Sequence, residues 1–550
     1  MYKIYIFKFI HRGCIMKKIS IVFLMMFLII ISCGKKSETN TESISSISIN
    51  LGPEPKTMDP TLNSINVVSS YILHAFEGLT KIDSNNNVRP GMAETWDISD
   101  DGLVYTFHIR KNAKWSDGKP VTAHDFEYSW KRAVDPKTAA EYSYMMEIVK
   151  NAKEINAGNM DYNSLGVRAI DDYTLEVQLE NPAIYFIDFI ASTVVFMPVR
   201  KDIIEQYGDQ WTLTPETYIG NGPYKMKERV IDEKIVFDIN TNYYDADKQV
   251  AKQINFVLMS DPNTAIAGIR GGTIDFSALE PPSAEIEKLN NEGYIVANNA
   301  IGTYYIELNI TNKAFEDKRV RQALSLAIDR NYLVKNVTKG GQVPAGAFVP
   351  TEVRGLNSTF RKENKEYIDV NDYENNVKKA KELMAEAGYP DGANYPVIEL
   401  KVSPGIYVLV GEALQQMWKE NLNVNVSLVQ EEFPITLQTL VEKDYQMARM
   451  GWTGDYNDPM TMLDVMTSGG GVNHTGFTNK EYDDNLLTAK QTEDNNIRMS
   501  AMAKAENILM EEMPIIPLYY RADSFMKNPK LDGVVLNPLG RHKFNYSYIK

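Results

Sequence analysis

The stretch Arg449-Met-Gly-Trp452-Thr-Gly-Asp455-Tyr456-Asn-Asp458-Pro459 closes a run in which strands and helices alternate, and that alternation decides the fold class. Val397 to Ser403 reads as a strand, Ile406 to Leu422 as an amphipathic helix, and Val424, Val426 and Leu428 alternate as a second strand. Ile435 to Lys443 fits another helix and Tyr445 to Trp452 a third strand. This order builds a mostly parallel, doubly covered α/β sheet, which holds ligands in the crevice beyond the carboxyl ends of its strands. Asp455 falls at such an end. Gly451 and Gly454 suit close backbone approach to a ligand, while Trp452 and Tyr456 offer flat apolar walls. A second reading stays open on the same residues: a turn in which Asp455 or Asp458 caps the helix that Pro459 begins.

Outside this run, Val320, Ala323, Leu324, Ala327 and Ile328 make one helical stripe, and Val377, Ala380, Leu383, Met384 and Ala387 make another, stopped by Gly388 and Pro390. Both are core formers. With 550 residues, 44% of them hydrophobic, the chain has material for two or three domains. Its net charge of -14 has no long basic run, which argues against nucleic acid and against electrostatic adhesion to anionic lipid. The two cysteines, Cys14 and Cys33, both precede the folded part, leaving it no disulfide, thiolate metal site or cysteine nucleophile. Six scattered histidines form no HExxH or close ligand pair, so no metal is expected. GxSxG, P-loop and GxGxxG patterns are absent, and no cofactor or enzymatic activity is expected.

Met16-Lys17-Lys18, followed by the apolar run Ile19 to Ser32, has the layout of a signal peptide and is short for a spanning helix of roughly 20 residues. Ile30-Ile31-Ser32-Cys33 resembles a bacterial lipobox, whose cysteine is diacylated and becomes the new amino terminus. The expected divisions are 1–33 for the signal peptide, with Met16 as the expected start, and 34–46 for a flexible tether. The protein is thus expected to be exported and lipid-anchored at Cys33, on the outer face of the cytoplasmic membrane or within the periplasm.

From residue 47 a strand formed by Ile47, Ile49 and Leu51 leads into EPKTMDP. After Phe76-Glu77-Gly78-Leu79 comes PGMAETWDISDDGLVYTFHIRKNAKWSDGKPVTAHDFEYSWKR, in which Leu103 to Arg110 alternates as a strand and Thr122 and Asp125 have capping-box spacing before a helix over Ala123 to Arg132. This run resembles the signature of the family 5 extracellular solute-binding proteins, the peptide and nickel receptors of ABC importers. NGPYKMKE, IRGGTIDF, DKRVRQALSLAIDR, TYYIELN and GWTGDYNDP continue the resemblance from about residue 47 to 550, closest to the oligopeptide-binding members.

The resemblance implies a two-lobed periplasmic-binding-protein-like α/β fold with a hinge and an inserted small domain, three domains in all. Lobe I would comprise 47–88, 205–302 and 522–550, the inserted domain 89–204, and the second lobe 303–521. It implies that Asp455 pairs with a peptide's amino terminus, that Trp452 lines a side-chain pocket, and that backbone around Gly451 takes peptide main chain as an added strand. Glu77 and Arg449 match polar positions that meet ligand termini or side chains, and Glu307 matches a pocket carboxylate. Lysine, histidine, tryptophan and arginine of the oligopeptide binders are matched by Thr338, Tyr407, Phe433 and Leu440, so carboxyl-terminal recognition is expected to differ. A disulfide of the type member is missing, with Gly302 and Thr453 at its positions. The implied partners are a peptide and the permease subunits of an ABC transporter, with the receptor a monomer. A dipeptide, nickel chelate, haem or other small solute, or an adhesin or chaperone role, remains the alternative.

Overall fold

The computed structural model describes residues 46–83 and 87–550; the expected export segment, Cys33 and the tether through residue 45 lie outside the described residues. Strand β1 (Ser46–Asn50) is followed by a small antiparallel sheet of β2 (Ala93–Ile98), β3 (Val104–Ile109), β4 (Val167–Asp171) and β5 (Thr174–Gln178), in the order β2-β3-β5-β4. Helix α1 (Ala123–Val134) packs on it, and its start is closed by the expected capping box, in which Asp125 Oδ2 accepts from the Thr122 backbone at 2.8 Å.

The main sheet gathers β6 (Tyr224–Val230), β7 (Lys234–Ile239), β8 (Gln253–Val257), β9 (Phe276–Ser277), β10 (Ile295–Leu308), β11 (Ile398–Val402), β12 (Val426–Gln430), β13 (Met447–Thr453) and β14 (Ile515–Lys527). Their order is β12-β11-β13-β10-β14-β9-β1-β8-β7-β6. Helices α2 (Phe186–Ser192), α3 (Lys318–Leu326), α4 (Tyr373–Glu386), α5 (Ile406–Leu422), α6 (Phe433–Val441) and α7 (Asn495–Glu512) complete the framework used below.

The expectation of a mostly parallel sheet holds only locally. β11 runs parallel to both β12 and β13, because α5 and α6 supply the crossovers that parallel pairing needs. β10, however, is antiparallel to both β13 and β14, so the whole sheet is mixed.

Two large buried clusters lie along this sheet. One takes in residues from Ile47 to Leu258 together with Phe276, Phe525, Leu531 and Phe544; the other runs from Ile301 to Tyr519 and includes Leu539. The small antiparallel sheet has no core of its own: Tyr105, Phe107 and Val177 belong to the first cluster. β10 and β14 pass from one cluster to the other, and there their pairing skips from Asn299 opposite Ala522 to Thr303 opposite Tyr520.

Candidate functional site

Side-chain hydrogen-bond partners, not sequence spacing, separate the two aspartates of the opening stretch. Asp458 is buried and accepts both Arg498 Nη1 and Nη2 at 2.7 Å, and its Oδ1 also takes the Met460 backbone N–H at 2.9 Å. Asp458 is therefore the structural turn residue. Asp455 uses only its backbone: its N–H donates to Thr461 Oγ1 at 2.9 Å and its carbonyl accepts from Arg541 Nη2 at 3.3 Å. Its carboxylate receives no hydrogen bond among the described residues, and burial pushes its pKa up to about 6, against the pull of the Arg541 charge.

Asp455, Trp452 and Tyr456 line a cavity of about 420 Å³ together with Tyr144, Tyr185 and Phe189. Tyr456 stacks on Tyr185 at 4.9 Å and meets Phe189 edge-on at 5.2 Å. Nearby, Arg354 pairs with Asp188, and Arg541 Nη1 donates to the Ser192 carbonyl. These contacts tie the second cluster's segment to α2. Trp452 is oriented by its indole N–H, which donates to the Thr461 carbonyl at 2.8 Å.

Gly451 and Gly454 serve a different purpose from the expected one. A Cβ at Gly451 would stand 2.6 Å from the Tyr304 ring, and one at Gly454 would stand 2.5 Å from Ile301, so both glycines admit the protein's own side chains from β10. The strand edge is another matter. β11 pairs only with Met447 and Ala448, and from Arg449 to Thr453 no other strand covers that edge among the described residues.

Arg449 projects into a box of rings, with its guanidinium carbon 3.4 Å from the Tyr407 centroid, 4.6 Å from Tyr304 and 6.0 Å from Phe433. No carboxylate pairs with it among the described residues, and its buried Nε lacks an acceptor. Tyr407 and Tyr304 join hydroxyls at 3.1 Å, and both line a second cavity of about 560 Å³ that also contains Thr338, Thr453, Arg521 and Glu280.

Glu77 and Glu307 are not brought to these cavities. Glu77 is buried against the hydroxyls of Tyr243 and Tyr244, with Lys81 Nζ at 3.4 Å. Glu307, 1% exposed, accepts from Tyr445 at 3.2 Å and lies 3.4 Å from His474. Leu440 is a core residue. Tyr144, Arg541 and Arg521 went unnoticed in the sequence; only Arg521 left a trace, as the charge that ends the buried run Ile515 to Tyr520.

Residues 87–474 match the model described as bacterial extracellular solute-binding proteins, family 5 middle. The chain is 34% identical to oligopeptide-binding protein OppA of Bacillus subtilis (strain 168), over 97% of this chain and all of that protein. Among solved structures, the murein tripeptide-binding protein MppA in its unliganded open form is similar at TM-score 0.83 and 32% identity, covering 92% of this chain and 98% of its own. Another structure of the murein tripeptide-binding protein MppA, from Escherichia coli, scores 0.72 with the same coverage and 33% identity. Among the described residues no helix is long and apolar enough to cross a membrane.

Proposed function

We propose, because the chain belongs to the bacterial extracellular solute-binding proteins of family 5, that it is an exported receptor which closes around an extended peptide and delivers it to an ABC permease. It binds without chemical turnover. The observation that carries this reading is the Asp455 carboxylate, desolvated and without a protein donor, facing a cavity at the end of an open strand edge. A lone buried carboxylate is costly unless a cation completes it, and a peptide's α-ammonium supplies both the charge and the donors.

The ligand then adds as a strand along Arg449 to Thr453, satisfying its backbone whatever its side chains. Arg449 lies six residues before Asp455, roughly 20 Å along an extended chain, and offers an unpaired guanidinium to a ligand carboxylate. Trp452, Tyr456, Tyr407 and Phe433 form apolar walls that accept varied side chains.

Closure of the lobes is the second part of the proposal. The proposed hinge is the crossing of β10 and β14, with lobe limits at 302/303 and 521/522; the skip in pairing at Ala300 to Gly302 supports a hinge there. Two structures of one relative, MppA, differ in their similarity to this chain, and the higher score belongs to the open, unliganded form, which supports an open state here. Adding a peptide of three to five residues is expected to lower the radius of gyration in solution scattering. An unchanged radius, with binding confirmed in the same sample, counts against closure.

The lipid anchor at Cys33 completes the proposal, motivated by Ile30-Ile31-Ser32-Cys33 after an apolar run. A radiolabelled fatty acid is expected to mark the full-length protein and to leave Cys33→Ala unmarked. A labelled Cys33→Ala protein refutes the anchor.

A further inference from the structure

We propose that Arg521 is a specificity-determining residue that receives a ligand carboxylate in the cavity of about 560 Å³, whether from the carboxyl terminus of a short peptide or from an acidic side chain. This rests on the peptide-receptor reading above. Arg521 sits on β14 at the crossing between the two buried clusters. Its stem lies over Gly302 of β10, where an added Cβ would stand 2.9 Å from Arg521 Cδ. The glycine makes the passage possible. Beyond it, Nη1 donates to Thr453 Oγ1 and Nη2 to Asp523 Oδ1 at 3.1 Å.

A guanidinium has five N–H donors, so among the described residues these two bonds leave about three without a protein acceptor. Its planar fork suits a carboxylate held by two bonds, which a point charge cannot match. The guanidinium carbon is 5.8 Å from the Tyr304 ring, which also carries Arg449 at 4.6 Å, so two cations share one aromatic wall. Two acids, Asp523 and Glu280, line the same cavity. An entering carboxylate must share Arg521 with Asp523, and the site selects by geometry more than by net charge.

Reach separates the two sources. Thr453 precedes Asp455 by two residues, roughly 7 Å of extended chain. A peptide anchored at Asp455 therefore brings its terminal carboxylate to Arg521 only if it is short; a longer one passes by and offers a side chain.

Calorimetry tests this with trialanine against its carboxyl amide, and with pentaalanine carrying Glu or Gln at its third position. In the wild type, the charged member of one pair is expected to bind about 10- to 100-fold more tightly than its neutral partner, and the pair showing the gap identifies the source. Arg521→Gln is expected to erase the gap while leaving the neutral peptide within about threefold. Equal losses for both members would mean a strand staple only, and would overturn the proposal. So would a gap that persists in Arg521→Gln, or tighter binding of the neutral member in the wild type. If Arg521→Gln does not fold, Arg521→Lys keeps the charge and is expected to narrow the gap; an undiminished gap in that variant overturns the proposal. Failure of the wild type to bind any of the four peptides is a different result, and sinks the receptor reading itself.

Discussion

Asp455→Ala weakens a peptide with a free amino terminus by about 30-fold to a few thousand-fold, since removing one member of a buried charge pair costs about 2 to 5 kcal/mol. The acetylated peptide binds the wild type poorly and loses little more in the variant, because the pair is gone in both. Calorimetry on the four combinations decides this: additive losses refute the pairing, and a variant that still prefers the free amino terminus moves the anchor elsewhere. Acid acts as a gentler version of the same substitution. Burial holds the empty Asp455 at about 6, so at pH 5 it is mostly protonated and affinity is about tenfold lower than at pH 7. In the empty protein the sign reverses. The folded pKa lies above the usual carboxylate value, so protonation favours folding, and this group's stabilising contribution is lost as pH rises through about 6.

Three residues on, Asp458→Ala behaves differently. Arg498, 1% exposed in its side chain, is left without a carboxylate partner among the described residues, and stranding a buried charge costs about 3 to 5 kcal/mol. Urea unfolding is expected to show that loss, while the preference for a free amino terminus survives in whatever fraction remains folded. Adding Arg498→Met is expected to restore much of it, since an apolar replacement removes the unpaired charge. A cost below about 1 kcal/mol would mean that Asp458 only caps the turn.

The contrast between these aspartates marks how far the sequence can be read. Strand and helix periodicity found α5 with its limits, Ile406 and Leu422, and found β11 to β13 within two or three residues, because their apolar spacing is local. β10 escaped it. Its first half, Ile295 to Asn299, is neither alternating nor wholly apolar, since it leaves one buried cluster to enter the other. Asp455 and Trp452 stood out because an indole sits near the end of a strand and a carboxylate follows it. Asp455 could not be told from Asp458 until Arg498, on a helix forty residues away, chose one of them. Glu77 and Glu307 were expected as ligand groups through the family resemblance alone. Here two tyrosine hydroxyls already satisfy Glu77, while Glu307 takes one hydroxyl from Tyr445 and lies beside His474, with its Oε2 left without a partner among the described residues.

β14 has a further consequence, for the order in which the chain is made. It joins β9 on one side and β10 on the other, yet it is built from residues 515–527, near the end of the chain. Until that segment emerges, the two halves of the sheet each present an unpaired edge, and Phe276 lacks its partner Phe525. Neither half can finish early. A nascent chain with two open edges invites wrong pairing. Completion by β14 leaves both halves of the sheet open until residues 515–527 have been synthesised.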